Sequence, residues 1–242
     1  MASARDRVFA TPELLEAILA HLPMQPLLLA QRVSHLLHAT INSSPTLQRL
    51  LFFRADTRLR LSFNPLLQQN FPPWFISPDD HNRYSMPSYE DLGKLPWTCT
   101  PERLDAILRP EATWRTMLPF QARSTSLKIV RHCSTMMGDS VKEAVLPMPN
   151  GVTMAPLYDI AEEHLRWELV SQFHVEVVGI GGEEVVVLHL YKVVQCSYSG
   201  DDTKAETYVS RGEGKVDIHG KWLEWRETSK RKRWGMLTPV DD

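Results

Sequence analysis

Proline placement constrains this chain more than any other feature. Nine of its 17 prolines fall between Ser62 and Phe120: Pro65, Pro72, Pro73, Pro78, Pro87, Pro96, Pro101, Pro110 and Pro119. Proline lacks a backbone donor and disfavours helix at the preceding residue, so this stretch can hold only short regular elements. It also carries Phe63, Phe71, Trp74, Phe75, Tyr84, Tyr89, Trp97 and Trp114, whereas solvated linkers are poor in aromatics. Residues 55–120 are therefore expected to form a packed, irregular connector between two more regular regions.

The region before it reads as short helices. Thr11-Pro12-Glu13 supplies a cap, a first-position proline and an acid at the positive helix end. Leu14, Leu15, Ile18, Leu19 and Leu22 follow on one broad apolar face, which Pro23 stops. A second helix is expected from Pro26 through Leu27, Leu28, Leu29 and Ala30, and a third through Val33, Leu36, Leu37 and Ile41. Ser44-Pro45 opens a fourth, leading to Leu47, Leu50, Leu51, Phe52 and Phe53. These helices make an N-terminal unit over residues 8–54.

After residue 120 the pattern changes to strands. Ser126 to Cys133 alternates, as do Phe173, Val175 and Val177 with Gln172, His174 and Glu176. Val185 to Val194 is rich in β-branched residues, and Gly179-Ile180-Gly181-Gly182 before it reads as a hairpin turn. A helix from about Pro156 to Val170 presents Leu157, Ile160, Ala161, Leu165 and Leu169. Two further strands are expected near Val216–Ile218 and Trp222–Trp225. The expected class is α+β: a helical bundle, the connector, and a mixed C-terminal region over residues 121–228 with an antiparallel hairpin. A charged tail is expected over residues 229–242.

The N-terminal pattern resembles the F-box family, on Pro12-Glu13-Leu14-Leu15, Ile18-Leu19, Leu22-Pro23, Leu27-Leu28 and Val33. The stretch from Ser44 to Arg54 resembles the extension of short fungal F-box proteins. So do Asn64 to Leu67, Phe71 to Phe75 and Ala112 to Pro119. Two positions depart from the pattern. Thr11 replaces the usual leucine before Pro12, and Leu37 stands where a tryptophan often sits. The resemblance implies docking on a Skp-type adaptor and, through it, on a cullin–RING ubiquitin ligase. It assigns Pro12, Leu14, Leu15, Ile18, Leu19, Leu22, Pro23, Leu27, Leu28 and Val33 to that interface, with Leu37 supporting them. The C-terminal region would select a protein substrate, and the chain itself would perform no bond chemistry.

Other chemistries find little support. Gly179 to Gly182 leads into a strand, not into the helix N-terminus that a phosphate-cradling loop needs. No nucleophile elbow is present. Histidine and cysteine show no metal-binding spacing: His35 and His38 alone make an incomplete pair, and His132-Cys133 is isolated. No cofactor is expected. The three cysteines, Cys99, Cys133 and Cys196, are odd in number and far apart, as free thiols of a reducing compartment are. No apolar run is long enough to span a bilayer, and no secretory leader opens the chain.

The charge sum is 27 − 29 = −2, and Pro156 to Tyr191 carries seven acids against Arg166. Nucleic acid is not an expected partner. Lys230-Arg231-Lys232-Arg233 reads as a solvated tail, a nuclear import signal or, least of the three, a nucleic-acid patch, so the expected location is cytoplasm, nucleus or both. Arg54, Arg58 and Arg60 could bind phosphate on a substrate, although alternation places Arg58 and Arg60 on a solvent face. Two alternatives stay open: an F-box-like module acting outside the ligase, and an enzyme built on the C-terminal region.

Overall fold

Helix α1 (Pro12–Ala20) starts where its sequence dictates. Thr11 occupies the N-cap in extended backbone, Pro12 fills the first turn and Glu13 stands at the positive end. The Thr11 side chain makes no capping bond; its carbonyl accepts the Leu15 N–H at 3.1 Å. The computed structural model describes residues 11–56, 61–76, 86–121, 124–135, 138–167, 170–180 and 183–194, and strand backbone at 217–218, 221–222, 226–232 and 238–239. Positions 8–10 of the N-terminal unit lie outside the described residues, as do Leu169, Cys196 and Arg233.

Helix α2 (Met24–Ala30) begins two residues before Pro26. Pro26 thus sits in the first turn, where its missing N–H has no intrahelical acceptor to lose. Helix α3 (His35–Ser43) is capped by Ser34, which accepts the Leu37 N–H at 3.2 Å. Helix α4 (Pro45–Leu50) is capped by buried Ser44, which accepts the Leu47 N–H at 3.1 Å. The Ser44 hydroxyl also donates to Glu16 at 2.7 Å, tying α4 to α1. Leu15, Leu19, Leu27, Ala30, Ile41, Leu47 and Leu51 form the core of this bundle.

The proline-rich segment contains α5 (Pro65–Asn70), α6 (Tyr89–Leu92), α7 (Pro101–Leu108) and two 3₁₀ turns, Pro72–Phe75 and Thr113–Thr116. Phe71, Trp74, Trp97 and Trp114 are core residues and Phe75 packs against them, whereas Phe63 and Tyr89 are exposed. Phe71 lies 4.6 Å from Trp114, and Trp74 stacks on Tyr158 at 5.3 Å and meets Phe173 at 4.9 Å. The buried indole donors are satisfied by carbonyls, Trp74 by Leu157 at 3.1 Å and Trp97 by Asn70 at 2.9 Å.

Strands β1 (Ser126–Thr135), β2 (Gly138–Pro147), β3 (Ser171–Ile180) and β4 (Glu183–Val194) surround helix α8 (Met154–Trp167) in chain order. The short strands β5 (Asp217–Ile218) and β6 (Lys221–Trp222) pair separately, while β7 (Arg226–Lys232) and β8 (Thr238–Pro239) extend the main sheet. Its order is β3-β4-β1-β2-β7-β8, with β1 and β4 parallel and the other neighbours antiparallel. The protein is α+β, with a mixed sheet.

One sheet face, with Leu127, Ile129, Ala144, Leu146, Phe173, Val175, Val186, Leu188 and Leu190, packs in one core with Leu157, Ile160, Ala161 and Leu165 of α8. Strands β3 and β4 form the expected hairpin, with Ile180 opposite Glu183. The expected tail needs correction. Lys230, Arg231 and Lys232 lie in β7, where Lys230 pairs with Ser140 on one side and Thr238 on the other. Among the described residues, no helix is long and apolar enough to cross a membrane.

Candidate functional site

The eleven residues assigned to adaptor docking do not share one surface. Helix α1 carries two apolar rows, and an i, i+4 spacing keeps each row on one side. Leu15 and Leu19 turn inward and are buried. Leu14 and Ile18 are about half exposed, at 50% and 53%, and Leu22 beyond the helix end is 38% exposed. Leu27 is fully buried in α2, and Leu28 and Leu37 are half-buried against the core. Pro12, Pro23 and Val33 are exposed, Val33 to 75%.

Leu15, Leu19 and Leu27 therefore stand corrected as docking contacts. A bundle of short helices needs a core, and these three supply it. The outer row is left over after that core is complete; Leu29, Leu36 and Leu50, on α2, α3 and α4, are also each more than two-fifths exposed.

Arg54 is exposed, but Arg58 and Arg60 lie outside the described residues, so phosphate recognition there gains no geometry. An open cleft of about 810 Å³ separates α2 and α3 from α5 and Trp114, with Arg32, His38, Arg109 and Glu111 among its lining. Gln31 also lines it, and its buried Nε2 has no hydrogen-bond partner.

A second group of candidate side chains carries no signal in sequence spacing. It lies on the sheet face opposite the α8 core. Register sets His174 directly across from His189, and His132 across from Tyr191. The His174 and His189 rings stack at 4.4 Å, and the His132 and Tyr191 rings at 4.3 Å, each pair within 7° of parallel. His189 is held on both nitrogens. Its Nδ1 lies 3.1 Å from His132 Nε2, and its Nε2 lies 2.8 Å from the Glu176 carboxylate.

His174 is only 6% exposed, and its Nδ1 is buried with no hydrogen-bond partner. Burial, then the nearby His189, pushes its pKa down to about 4, against the pull of Glu176. His174 is therefore neutral at pH 7. His174, Glu176 and His189 each offer a ligand atom within 4.8 Å of the others, so these residues could hold a metal. The local signal was present as alternation: positions 174 and 176 fall on one face of β3. Their partner lies on another strand, and only pairing supplies it.

Set against family models, curated proteins and solved structures, the chain matches none of them.

Proposed function

We propose that this chain is a substrate-receptor subunit of a Skp–cullin–F-box ubiquitin ligase. The observation that carries the reading is the outer row of α1. Leu14 and Ile18 remain exposed although the bundle core closes without them. The motif residues Pro12, Leu14, Ile18, Leu22, Pro23 and Val33 are the ones that stay accessible, which agrees with docking on an adaptor groove. The bundle is the adaptor end, and the connector with its sheet is the end that holds a protein substrate.

In this role the chain makes and breaks no bonds. It raises the effective concentration of substrate at a ubiquitin-charged enzyme, so that transfer becomes nearly intramolecular. Such a subunit works in the cytoplasm, the nucleus or both. Import through Lys230 to Arg233 requires β7 to leave the sheet, because Lys230 is paired on both sides.

Co-purification of the tagged full chain tests the proposal. A Skp-type adaptor and a cullin are expected together, and both are expected to disappear with Ile18→Arg while the fold persists. Adaptor without cullin would favour a module acting outside the ligase. Neither protein recovered would end the adaptor reading.

A further inference from the structure

We propose that His174, Glu176 and His189 form a binding site for a divalent transition-metal ion of the zinc type. The inference is independent of the adaptor reading, since it rests on a sheet face far in sequence from the helical bundle.

Three observations converge. The donor set is two imidazoles and one carboxylate, which suits zinc and its neighbours better than magnesium or calcium, whose shells are all oxygen. The geometry is close to what the ion needs. Zinc bonds of about 2.0–2.2 Å place tetrahedral ligand atoms about 3.4 Å apart. The three atoms lie within 4.8 Å of one another, and His189 and Glu176 are already at 2.8 Å. The His174 and His189 rings, stacked within 7° of parallel, must tilt toward each other for both lone pairs to meet the ion. Finally, His174 carries a buried nitrogen without a partner, an arrangement folded proteins rarely keep without a use.

With an ion on His189 Nε2, the ring proton sits on Nδ1, 3.1 Å from His132 Nε2, and is donated there when His132 carries its own proton on Nδ1. Ligating histidines ordinarily make such an outer hydrogen bond, which fixes ring orientation and tautomer. His132 is therefore a positioning residue. Three protein ligands leave a fourth position for water or for a group brought by a partner, and Glu176, 44% exposed, gives the ion a way in.

Zinc titration of the chelator-stripped full chain, read by competition with a chromophoric zinc chelator, tests the site. One zinc ion per chain is expected at micromolar affinity or tighter. Glu176→Gln and His189→Gln should each weaken binding at least tenfold, and His132→Gln should weaken it less. Cobalt in place of zinc should give the visible absorption of a tetrahedral site, lost in His189→Gln. His35→Gln with His38→Gln, on the helical bundle, should change nothing. Because Glu176 lies at the surface, its variant keeps the fold. Zinc binding that survives Glu176→Gln and His189→Gln together, or no binding at micromolar zinc, would overturn the proposal.

Discussion

Apolar side chains on α1 turn opposite ways, and substitution separates them. Leu15 is 3% exposed and Ile18 is 53% exposed. An arginine at position 15 places an unpaired charge in the bundle core, where a buried unpaired charge costs several kcal/mol. Leu15→Arg is therefore expected to unfold the bundle, seen as a large fall in melting temperature. At position 18 the arginine head stays in water, so Ile18→Arg should shift stability by no more than about 0.5 kcal/mol, and on the proposed reading only adaptor capture should be lost. If both variants melt alike, the division into inner and outer rows is wrong. His174 gives a residue-scale effect of pH. The unfolded chain binds a proton near the ordinary value of 6.5, whereas the folded chain does so only at about 4. Between these values the unfolded state holds more protons, so the stability from a neutral His174 is complete above pH 6.5 and is lost as pH falls toward 4. From pH 7 to pH 5 the metal-free protein should lose about 1–2 kcal/mol more than His174→Phe. Urea unfolding at both pH values measures it. Equal losses in the two proteins would mean that His174 is as well hydrated as in the unfolded chain.

At the scale of elements, Asn64 organises the connector. It is fully buried, accepts the Leu66 and Leu67 N–H groups at 3.1 Å, and donates to the Leu118 carbonyl at 3.1 Å. Asn64→Ala removes the cap of α5 and leaves the Leu118 carbonyl short of a donor. Loss of a cap costs about 1 kcal/mol and an unsatisfied buried group about 1–3 kcal/mol. A fall of about 2–4 kcal/mol in urea unfolding is expected, and a change below half of the lower bound would argue that water replaces the amide. The elements best read from sequence are those with local signals. The proline at the first turn places α1, the capping serine and proline place α4, and strict alternation with β-branched residues places β3 and β4. Strand β2 was missed because Gly138 to Pro147 is mostly half-buried and carries no clean alternation. Strand β7 was missed because Lys230, Arg231 and Lys232 look like a solvated tail, and only pairing with β2 makes them a strand. The histidine group was hidden for a related reason. His132, His174 and His189 are far apart along the chain, and strand register, not spacing, brings them together. The α1 leucines show the opposite limit: periodicity marks a wide apolar face but does not say which row turns inward.

Across the whole molecule, the two cores share walls. Met24, Leu28 and Phe53 pack against both the bundle core and the core of connector and sheet. Buried Gln121 spans the same boundary, donating to the Arg49 carbonyl at 3.0 Å and accepting the Asp56 N–H at 2.6 Å. Phe52 adopts a left-handed φ of 58°, and its carbonyl accepts the Leu118 N–H at 2.7 Å. A bundle with seven buried apolar residues is too small to stand far above its entropy cost alone, so it is expected to fold only with the rest. The tryptophans make this measurable, because all seven lie beyond residue 73, outside the bundle. Leu47 is fully buried in the bundle, and Leu47→Ala should cost about 2–5 kcal/mol. If the cores melt as one, tryptophan fluorescence will report that loss although no tryptophan belongs to the bundle core. At about 2–4 °C per kcal/mol for a chain of this size, its midpoint should fall by roughly 5–15 °C, together with the helical circular-dichroism signal. A fluorescence midpoint that stays in place while the circular-dichroism curve splits would instead make the bundle an independent unit. On the proposed adaptor reading that outcome matters: a coupled bundle would hold the connector and sheet at a fixed angle to a docked adaptor, whereas an independent one would let them swing.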